Sequence, residues 1–363
     1  MPASPDHVAR LRLIRSENIG PITYFQLLAR FGSAQAAIDA IPDLAARGGG
    51  RAPRLAGRSQ IDREMDEVER LGARYLFLGQ GLYPSLLAEI ETAPPALIAK
   101  GDLTLLDRPA VAMVGARNAS AAACRFARQL ARDLGLAGLV VVSGLARGID
   151  SAAHDGALES GTVAVIAGGI DIVYPPENEE RQRAIGQSGL LLAEQPPGVE
   201  PRARHFPYRN RIIAGLAQGT VVIEAAPRSG SLITARLAAD FGREVMAVPG
   251  SPLDPRAQGC NQLIREGATL VQTAEDVVEA VDPLRPRPFR QPERRYAAPA
   301  ADAEVDDDAR RRVWGLLSVT PVPVDELIRQ SGLAPAAVQT VLLELELAGR
   351  LERHAGGRVS LAA

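Results

Sequence analysis

The sequence has few aromatic residues, few cysteines and almost no net charge. Only 4% of its 363 residues are aromatic, and its two cysteines, Cys124 and Cys260, lie far apart and in no metal-binding spacing. This cysteine usage fits a reducing cytoplasm, where we expect no disulfide. The formal net charge of −2 excludes a global basic field. If such a chain binds a polyanion, its positive charge must be concentrated locally.

The sequence also lacks long hydrophobic runs and the familiar catalytic motifs. No apolar run reaches the about 20 residues that a membrane helix needs, and the N-terminus shows no apolar signal core. The chain contains no G-x-G-x-x-G, G-x-x-x-x-G-K-[ST], H-E-x-x-H, C-x-x-C or G-x-S-x-G motif. We therefore expect a cytoplasmic protein that has no membrane segment, metal or cofactor and is not an enzyme.

Residues 1–85 are predicted to be helical. Apolar side chains such as Leu11 and Ile14 recur at helical spacing, and IGP at residues 19–21 predicts a turn between two helices. Ser33 is a predicted helix cap. The pattern resembles a helix-hairpin-helix or SAM-like module, which could hold a DNA backbone through its turn amides. It fits a plain helical pair equally well.

Residues 86–281 alternate apolar, β-rich runs with helical segments. The runs are VAMVG at 111–115, LVVVSG at 139–144, TVAVIAGG at 162–169, LLLA at 190–193, TVVIEA at 220–225, EVMAVPG at 244–250 and TLV at 269–271. Strands that are apolar on both faces and separated by helices indicate a parallel sheet covered on both sides. The prediction is an α/β fold with a Rossmann-like, doubly wound, mostly parallel sheet. YLFLG near residue 75 and ALIAKGD near residue 97 are candidate additional strands.

The last part of the chain changes in composition twice. Residues 282–308 are rich in proline and charge, which predicts a linker. Residues 309–363 then show the element order of a winged helix. The predicted recognition helix carries Glu344 and Glu346 and no basic residue before Arg350. Because an acidic helix is poorly suited to DNA, we favour protein contact or domain packing over DNA reading.

The loops that follow the predicted strands are the candidates for a binding site. In an open parallel sheet, ligands bind at the carboxyl ends of the strands. Each of these loops contains glycine, and three carry an arginine near a small hydroxyl residue, namely Arg117, Arg147 and Arg228. Glycines let backbone amides approach an oxyanion, helix N-termini add a favourable dipole, and arginines clamp phosphate oxygens. With Arg209 and Arg211 at the rim, the residues alone indicate a polyphosphate-binding surface.

Several of these residues also have purely structural interpretations. A single glycine after a strand is most often only a turn. Ser120 and Asp150 are expected to be helix caps first, and His154 is more often a packing histidine than a general base. Glu224, at a strand end, fits either a catalytic carboxylate or a cap for a neighbouring element.

Six motifs occur in order between about residues 100 and 280. They are VAMVGARNAS, VVSGLARGIDSAAHDGAL, GGIDIVYPPEN, FPYRNRIIAGLA, EAAPRSGSLITARLAADFGREVMAVPG and GCNQLIREGA. Together they resemble the DNA-processing protein A family, also called Smf. The helical N-terminal module and the winged-helix tail fit family members that carry both accessories.

The resemblance implies a non-enzymatic recombination mediator. Such proteins bind and protect single-stranded DNA taken up in natural transformation, load RecA onto it and work as homodimers. The DNA-contacting positions that the resemblance implies are Arg117, Ser143, Gly144, Arg147, Arg209, Arg211, Arg228, Ser229, Gly230, Ser231 and Thr234. Arg228 stands where the family commonly has lysine, and it keeps the charge.

The two arginines on either side of Asn210 are expected to point in different directions. We place Arg211 on the ligand first, as a residue in the opening turn of a helix, and expect Arg209 to pair with a carboxylate. Phe206 and Tyr208 are the only aromatic candidates nearby, so we expect backbone-dominated, salt-dependent and sequence-indifferent binding.

Other functions stay open at this point. A Rossmann-like nucleotide N-glycoside hydrolase would carry P-G-G-x-G-T-x-x-E, and the sequence has no such run. A nucleotide-sensing module could use the same loops for a small phosphate ligand. A purely structural scaffold leaves the five arginines of the predicted surface without an explanation.

Overall fold

The structure is a computed structural model that describes residues 4–282, 305–354 and 356–362. Among them, residues 64–282 form one compact unit, here called the Rossmann-like unit. Residues 4–63 and 305–362 together form the second, here called the terminal unit. Most of the predicted linker, 282–308, lies outside the described residues, and the predicted domain boundaries stay a prediction.

The N-terminal region is helical, as predicted. Its helices are α1 (Pro5–Ile14), α2 (Pro21–Phe31), α3 (Ala34–Arg47) and α4 (Arg58–Arg70). Pro21 opens α2 directly after Gly20, and the Ser33 hydroxyl caps α3 by accepting the Ala36 amide at 3.2 Å. The turn and the cap that the sequence predicted are both present.

The Rossmann-like unit is built on a mixed sheet. Its strands are β1 (Arg74–Phe77), β2 (Ala96–Gly101), β3 (Ala110–Gly115), β4 (Val140–Ser143), β5 (Thr162–Ile166), β6 (Leu190–Ala193), β7 (Gly219–Ile223), β8 (Glu244–Ala247) and β9 (Thr269–Leu270). They pair in the order β1-β2-β6-β5-β4-β3-β7-β8-β9. All neighbours from β6 to β9 in this order are parallel, and β1 and β2 add an antiparallel edge. The two candidate additional strands are this antiparallel edge.

Helices cover both faces of the sheet. They are α5 (Ser85–Ala88), α6 (Ala121–Leu136), α7 (Ile149–Ala157), α8 (Glu179–Ser188), α9 (His205–Leu216), α10 (Gly230–Asp240), α11 (Gln258–Arg265) and α12 (Ala274–Val281). Val111 and Met113 of β3 pack with α6, α7 and α12, whereas Ala112 and Val114 pack with α5, α9, α10 and α11. Alternate residues of one strand thus enter two separate cores, which explains the continuous apolar runs and confirms the doubly wound fold.

The strand order reverses beside β3. From β3 the chain adds β4, β5 and β6 on one side, and it then crosses to add β7, β8 and β9 on the other. The connections that leave β3 and β7 therefore diverge at the carboxyl edge and open a crevice there. This crevice is where the fold itself places a ligand site.

The C-terminal region has the winged-helix order that the sequence predicted. Its elements are α13 (Asp307–Leu316), β10 (Val322–Pro323), α14 (Val324–Ser331), α15 (Pro335–Leu347), β11 (Leu351–His354) and β12 (Arg358–Leu361). The strands pair antiparallel in the order β10-β12-β11. Helix α15 occupies the position of the recognition helix.

Helix α15 packs on the N-terminal helices within the terminal unit. Leu343 and Leu347 are buried in one apolar cluster with Leu44 and Ala45 of α3. A Cβ at Gly48 would overlap the Glu344 carbonyl oxygen, so glycine allows the close approach of the two helices. Domain packing, one of the two roles that the sequence favoured for α15, is therefore what the structure shows.

The two acidic residues of α15 are neutralised inside the winged helix. Arg310 donates to both oxygens of Glu344, at 2.9 and 3.1 Å, and Arg353 donates to Glu346 at 2.8 Å. The two carboxylates of α15 therefore present little charge to solvent. Among the described residues, none of the helices is both long and apolar enough to span a bilayer.

Candidate nucleic-acid interface

A groove runs along the carboxyl edge of the parallel strands. It consists of two adjoining cavities of about 620 and 280 Å³, which share Arg117, Ala146, Phe206 and Arg209 in their walls. The larger cavity lies at the crevice between the connections of β3 and β7, and the smaller one lies beside the loops after β4 and β5. The groove is thus the site that the reversal of strand order predicts.

Four exposed arginines line the groove, and one of them, Arg256, is held by Asp254 at 2.8 Å. Arg117 follows β3 and lies over the Phe206 ring, with its guanidinium carbon 5.2 Å from the ring centroid. Arg228 follows β7, and Arg147 follows β4, where its guanidinium lies 3.9 Å from the Glu177 carboxylate. Within the described part of the chain, neither Arg117 nor Arg228 forms an ion pair. Their charges are therefore available to an anion in the groove.

The N-terminus of α10 opens into the larger cavity. The Ser229 hydroxyl caps it and lies 2.8 Å from the Ser231 hydroxyl. Gly230 has open space beside it, and the Thr234 side chain, although nearly buried, lies in the cavity wall. Unpaired amides and the helix dipole make such a terminus a favourable place for a phosphate.

Arg209 forms the floor between the two cavities. Its guanidinium lies so close over Gly144 that any Cβ there would overlap it, which explains the glycine at this position. Beneath it, the Asp150 carboxylate accepts the amides of Gly144 at 3.2 Å and Ala146 at 3.3 Å. Burial lowers the pKa of Arg209 to about 10, so it keeps its charge at neutral pH. Burial likewise raises the pKa of Asp150, and nearby Arg209 opposes that shift.

The structure reverses the assignment of Arg209 and Arg211. Arg211 lies outside both cavities, only 6% exposed, and donates to both oxygens of Glu194 at 2.6 and 2.8 Å. Helix α9 begins at His205, so Arg211 lies in its second turn rather than its first. Two residues on a helix are about 200° apart, which puts Arg209 and Arg211 on opposite sides. One arginine does pair with a carboxylate, but it is Arg211.

Ser143 also lies outside the groove. Its side chain is fully buried, and its hydroxyl donates to the Met113 carbonyl at 2.6 Å, which ties β4 to β3. The other predicted residues, Arg117, Gly144, Arg147, Arg209, Arg228, Ser229, Gly230, Ser231 and Thr234, all line one or both cavities. Their contact with DNA stays a prediction.

Ser120, Glu224 and His154, for which the sequence also allowed a purely structural role, form hydrogen bonds within the protein. The Glu224 carboxylate accepts both the amide and the hydroxyl of Ser120, at 2.8 and 2.6 Å, and the same hydroxyl caps α6. His154 is fully buried with Nδ1 2.7 Å from the Thr162 hydroxyl, and burial lowers its pKa to about 3. Glu224 and Ser120 are therefore caps, and His154 is a neutral packing residue.

Sequence reasoning missed one aromatic wall. Tyr174 lines the smaller cavity, 5.5 Å from Phe206 between ring centroids, and is 46% exposed. It belongs to GGIDIVYPPEN, which follows β5 and could have indicated it. Phe206 lines both cavities, whereas Tyr208 lines neither. The groove thus holds two rings where the sequence had suggested poor stacking.

Comparison with known proteins identifies the family of the chain. The model of the DNA recombination-mediator protein A family matches residues 74–282, which is more than half of the chain. The chain belongs to this family. Two further models match the flanking regions, namely the DprA-like N-terminal HHH domain at residues 4–66 and the DprA winged helix domain at residues 297–357.

Individual relatives agree with this membership. The chain is 50% identical over 198 residues to DNA processing protein DprA of Streptococcus pneumoniae, covering 54% of this chain and 70% of that one. It is 35% identical over 317 residues to Protein Smf of Escherichia coli, covering 84% and 82%.

Two solved structures of the family are also similar. The X-ray structure of S. pneumoniae DprA superposes with a TM-score of 0.62 at 36% identity, covering 77% of this chain and 99% of that chain. A Helicobacter pylori DNA processing protein A, described for its single-stranded DNA binding mode, has a TM-score of 0.52 at 30% identity, covering 57% and 94%.

The chemistry that the groove supports is anion binding. Arginines, helix amides and glycine-rich loops converge there. Of the two carboxylates that line the groove within the described residues, Asp150 accepts two backbone amides and Glu177 is exposed, 3.9 Å from Arg147. Among the described residues, no cluster of histidine, cysteine, aspartate or glutamate could hold a metal ion.

Proposed function

We propose that this DprA-family protein binds single-stranded DNA in the groove, chiefly through the phosphodiester backbone. The observation that carries the proposal is the convergence of the α10 N-terminus and four arginines on one groove, namely Arg117, Arg147, Arg209 and Arg228. A positive track that any base can follow is what single strands require. The H. pylori relative, described as a single-stranded DNA binder, supports the choice of ligand.

The groove residues take three roles in this proposal. Arg117, Arg147 and Arg228 neutralise successive phosphates, because their side chains are exposed. Among the described residues, Arg117 and Arg228 form no ion pair, and Arg147 has only a long contact of 3.9 Å with the exposed Glu177. Arg209 with Gly144 forms a fixed positive floor. The Ser229–Ser231 turn and Thr234 supply amide and hydroxyl donors. Ser143 and Arg211 act indirectly, by holding β4 and α9 in place.

Base contacts in the proposal come from the smaller cavity. Tyr174 and Phe206 present tilted rings, at an interplanar angle of 54°, beside the arginine track. A base that stacks on either ring gains about 1–3 kcal/mol whatever its identity. Binding is therefore sequence-indifferent, and part of it persists at high salt.

The wider role that we propose is recombination mediation without catalysis. It comprises protection of the bound strand, loading of RecA and work as a homodimer, as family membership suggests. The N-glycoside hydrolase alternative needs a carboxylate beside the sugar. Within the described residues, the one carboxylate in the wall of the larger cavity, Asp150, already accepts two backbone amides, and the sequence lacks the hydrolase signature, so both observations argue against that alternative. Incubation with nucleoside monophosphates should release no base.

A mobility-shift experiment on the full chain tests the proposal. Arg117→Glu and Arg228→Glu should each weaken binding to an oligo-dT strand by about tenfold or more, because each removes a charge-assisted contact. Arg236→Glu is the matched control, since Arg236 is exposed on α10 but outside both cavities. Circular dichroism should be unchanged in all three. Equal affinity of the three variants and the parent would contradict the proposal.

A further inference from the structure

A second cationic pocket lies inside the terminal unit, where α3, α13 and α15 meet. Its volume is about 300 Å³, and it is here called the joint pocket. Its walls are Arg47, Gly48, Gly49, Arg310, Arg311, Trp314, Val341, Glu344, Leu345 and Arg350. The volume is at the lower end of the range for small-ligand sites, which suits one small molecule or one nucleotide.

The charges of the joint pocket are unbalanced. Four arginines line it against one carboxylate, Glu344, and both oxygens of that carboxylate accept from Arg310. Within the described residues, Arg47 and Arg350 form no ion pair. Arg311 has only the exposed Asp308 at 3.5 Å, and Asp308 is held at 2.6 Å by Arg312. The excess charge is therefore available to a ligand.

Arg350 is held in position by packing rather than by a carboxylate. Its guanidinium stacks on the Trp314 ring at 4.0 Å from the centroid, and its Nη1 lies against Gly49 at the end of α3. Stacking fixes the plane of a guanidinium while leaving its N–H groups free to donate. The pocket thus has a positioned donor fork beside an apolar wall of Trp314, Val341 and Leu345.

We propose that the joint pocket binds a phosphate ester, with Arg47, Arg311 and Arg350 on the phosphate and the apolar wall against its organic part. Guanidinium forks match phosphate oxygens in geometry, and several of them around one cavity favour a dianion over a carboxylate. The ligand is either a free nucleotide or one nucleotide of a strand, and it contacts both the N-terminal helices and the winged helix. The proposal does not depend on the groove.

The test uses a built-in reporter, because Trp314 is the only tryptophan of the sequence. The full chain is titrated with pyrophosphate, with dTMP and with a short oligo-dT. Trp314 is excited at the long-wavelength edge of its absorption band, and its fluorescence emission is recorded. The oligonucleotide arm uses an Arg117→Glu/Arg228→Glu background, so that the groove does not contribute. A response to pyrophosphate or dTMP identifies a free phosphate ligand. A response to oligo-dT alone identifies a strand.

Paired variants on one helix decide the outcome. Arg311→Glu and Arg350→Gln should each raise the half-saturation concentration about tenfold or more, as expected for a charge-assisted hydrogen bond. Arg312→Glu, next along α13 and outside the pocket wall, should leave it within twofold. Calorimetric titration checks Arg350→Gln independently of its effect on Trp314 emission. No saturable response in any arm, or equal weakening in Arg311→Glu and Arg312→Glu, overturns the proposal.

Discussion

The groove of the Rossmann-like unit lies where that fold usually binds a ligand, and helix α15 of the terminal unit lies where a winged helix usually binds DNA. In the groove, Arg117 and Arg228 form no ion pair among the described residues, and open space borders Gly230. On α15, Glu344 and Glu346 form ion pairs with arginines, and the leucines of the helix are buried against α3. The same residue types thus serve an open surface in one unit and a closed one in the other.

The difference shows that partners, rather than composition, decide what an arginine does. Arg211 holds the mostly buried Glu194 and Arg310 the buried Glu344, so both arginines contribute to stability. Arg117 and Arg228 form no ion pair among the described residues and are therefore available to a ligand. Changes to the first kind should alter unfolding and leave affinity unchanged. Changes to the second kind should do the opposite. Four predictions follow this division, from the largest expected effect to the smallest.

Leu347→Asp should have the largest effect, because it buries an unpaired carboxylate in the cluster between α15 and α3. Leu347 has no exposed surface, and the cost should exceed about 4 kcal/mol of unfolding free energy. Urea unfolding followed by Trp314 emission measures the terminal unit directly. Val319→Asp, at a site 70% exposed in the same unit, should change stability by less than about 0.5 kcal/mol. Similar urea midpoints of unfolding for both variants would mean that Leu347 is not buried between α15 and α3.

Arg211→Ala should destabilise the Rossmann-like unit by about 3–5 kcal/mol, because it leaves Glu194 unpaired. Thermal or urea unfolding followed by far-UV circular dichroism measures this loss. Arg117→Ala is the matched variant, and it should keep the midpoint while weakening oligo-dT binding. A stable Arg211→Ala with lost affinity would restore the assignment that the sequence suggested.

Gly48→Ala should cost about 1–3 kcal/mol, because its Cβ would be forced against the Glu344 carbonyl and the Ala348 side chain. Gly315→Ala is the control in the same unit. Its Cβ meets open space inside α13, so it should stabilise the unit by about 0.5–1 kcal/mol. Trp314 emission in urea measures both, and the opposite signs make the comparison sensitive. If both variants changed the unfolding free energy in the same direction, a close contact of α3 and α15 at Gly48 would not be supported.

Arg228→Gln should have the smallest effect, on the salt dependence of DNA binding. One phosphate contact fewer reduces the slope of log K against log salt by about 0.7 for a single strand. Fluorescence anisotropy of a labelled oligo-dT over a range of salt concentrations measures the slope. Arg236→Gln, on the same helix but outside the groove, should retain the parent slope. An unchanged slope for Arg228→Gln would mean that Arg228 does not contact a phosphate of the bound strand.

The sheet could be predicted from the sequence because each parallel strand is apolar on both faces. The runs at 111–115 and 220–225 became β3 and β7 with shifts of only one or two residues. The glycine and arginine loops followed from the same reasoning, since topology alone brings them to one edge. Most of the groove could therefore be named before its geometry was known.

The assignment of Arg209 and Arg211 could not be predicted in the same way. It depended on where α9 begins, and the start at His205 turned Arg209 toward the groove. The partner of Arg211, Glu194, comes from the end of β6, and no periodicity links the two. Likewise, Leu343 and Leu347 look like the core of their own winged helix, whereas the structure buries them against α3.

The shared core of α3 and α15 has a consequence for the order in which the protein is made. Leu44 is synthesised about 300 residues before Leu347, an interval of about 15–60 s at usual translation rates. Throughout that time, the N-terminal helices have left the ribosome without the leucines that complete their apolar cluster. Helix α3 therefore reaches its final packing only after α15 has been translated, and a chain that stops before α15 leaves this face of α3 uncovered.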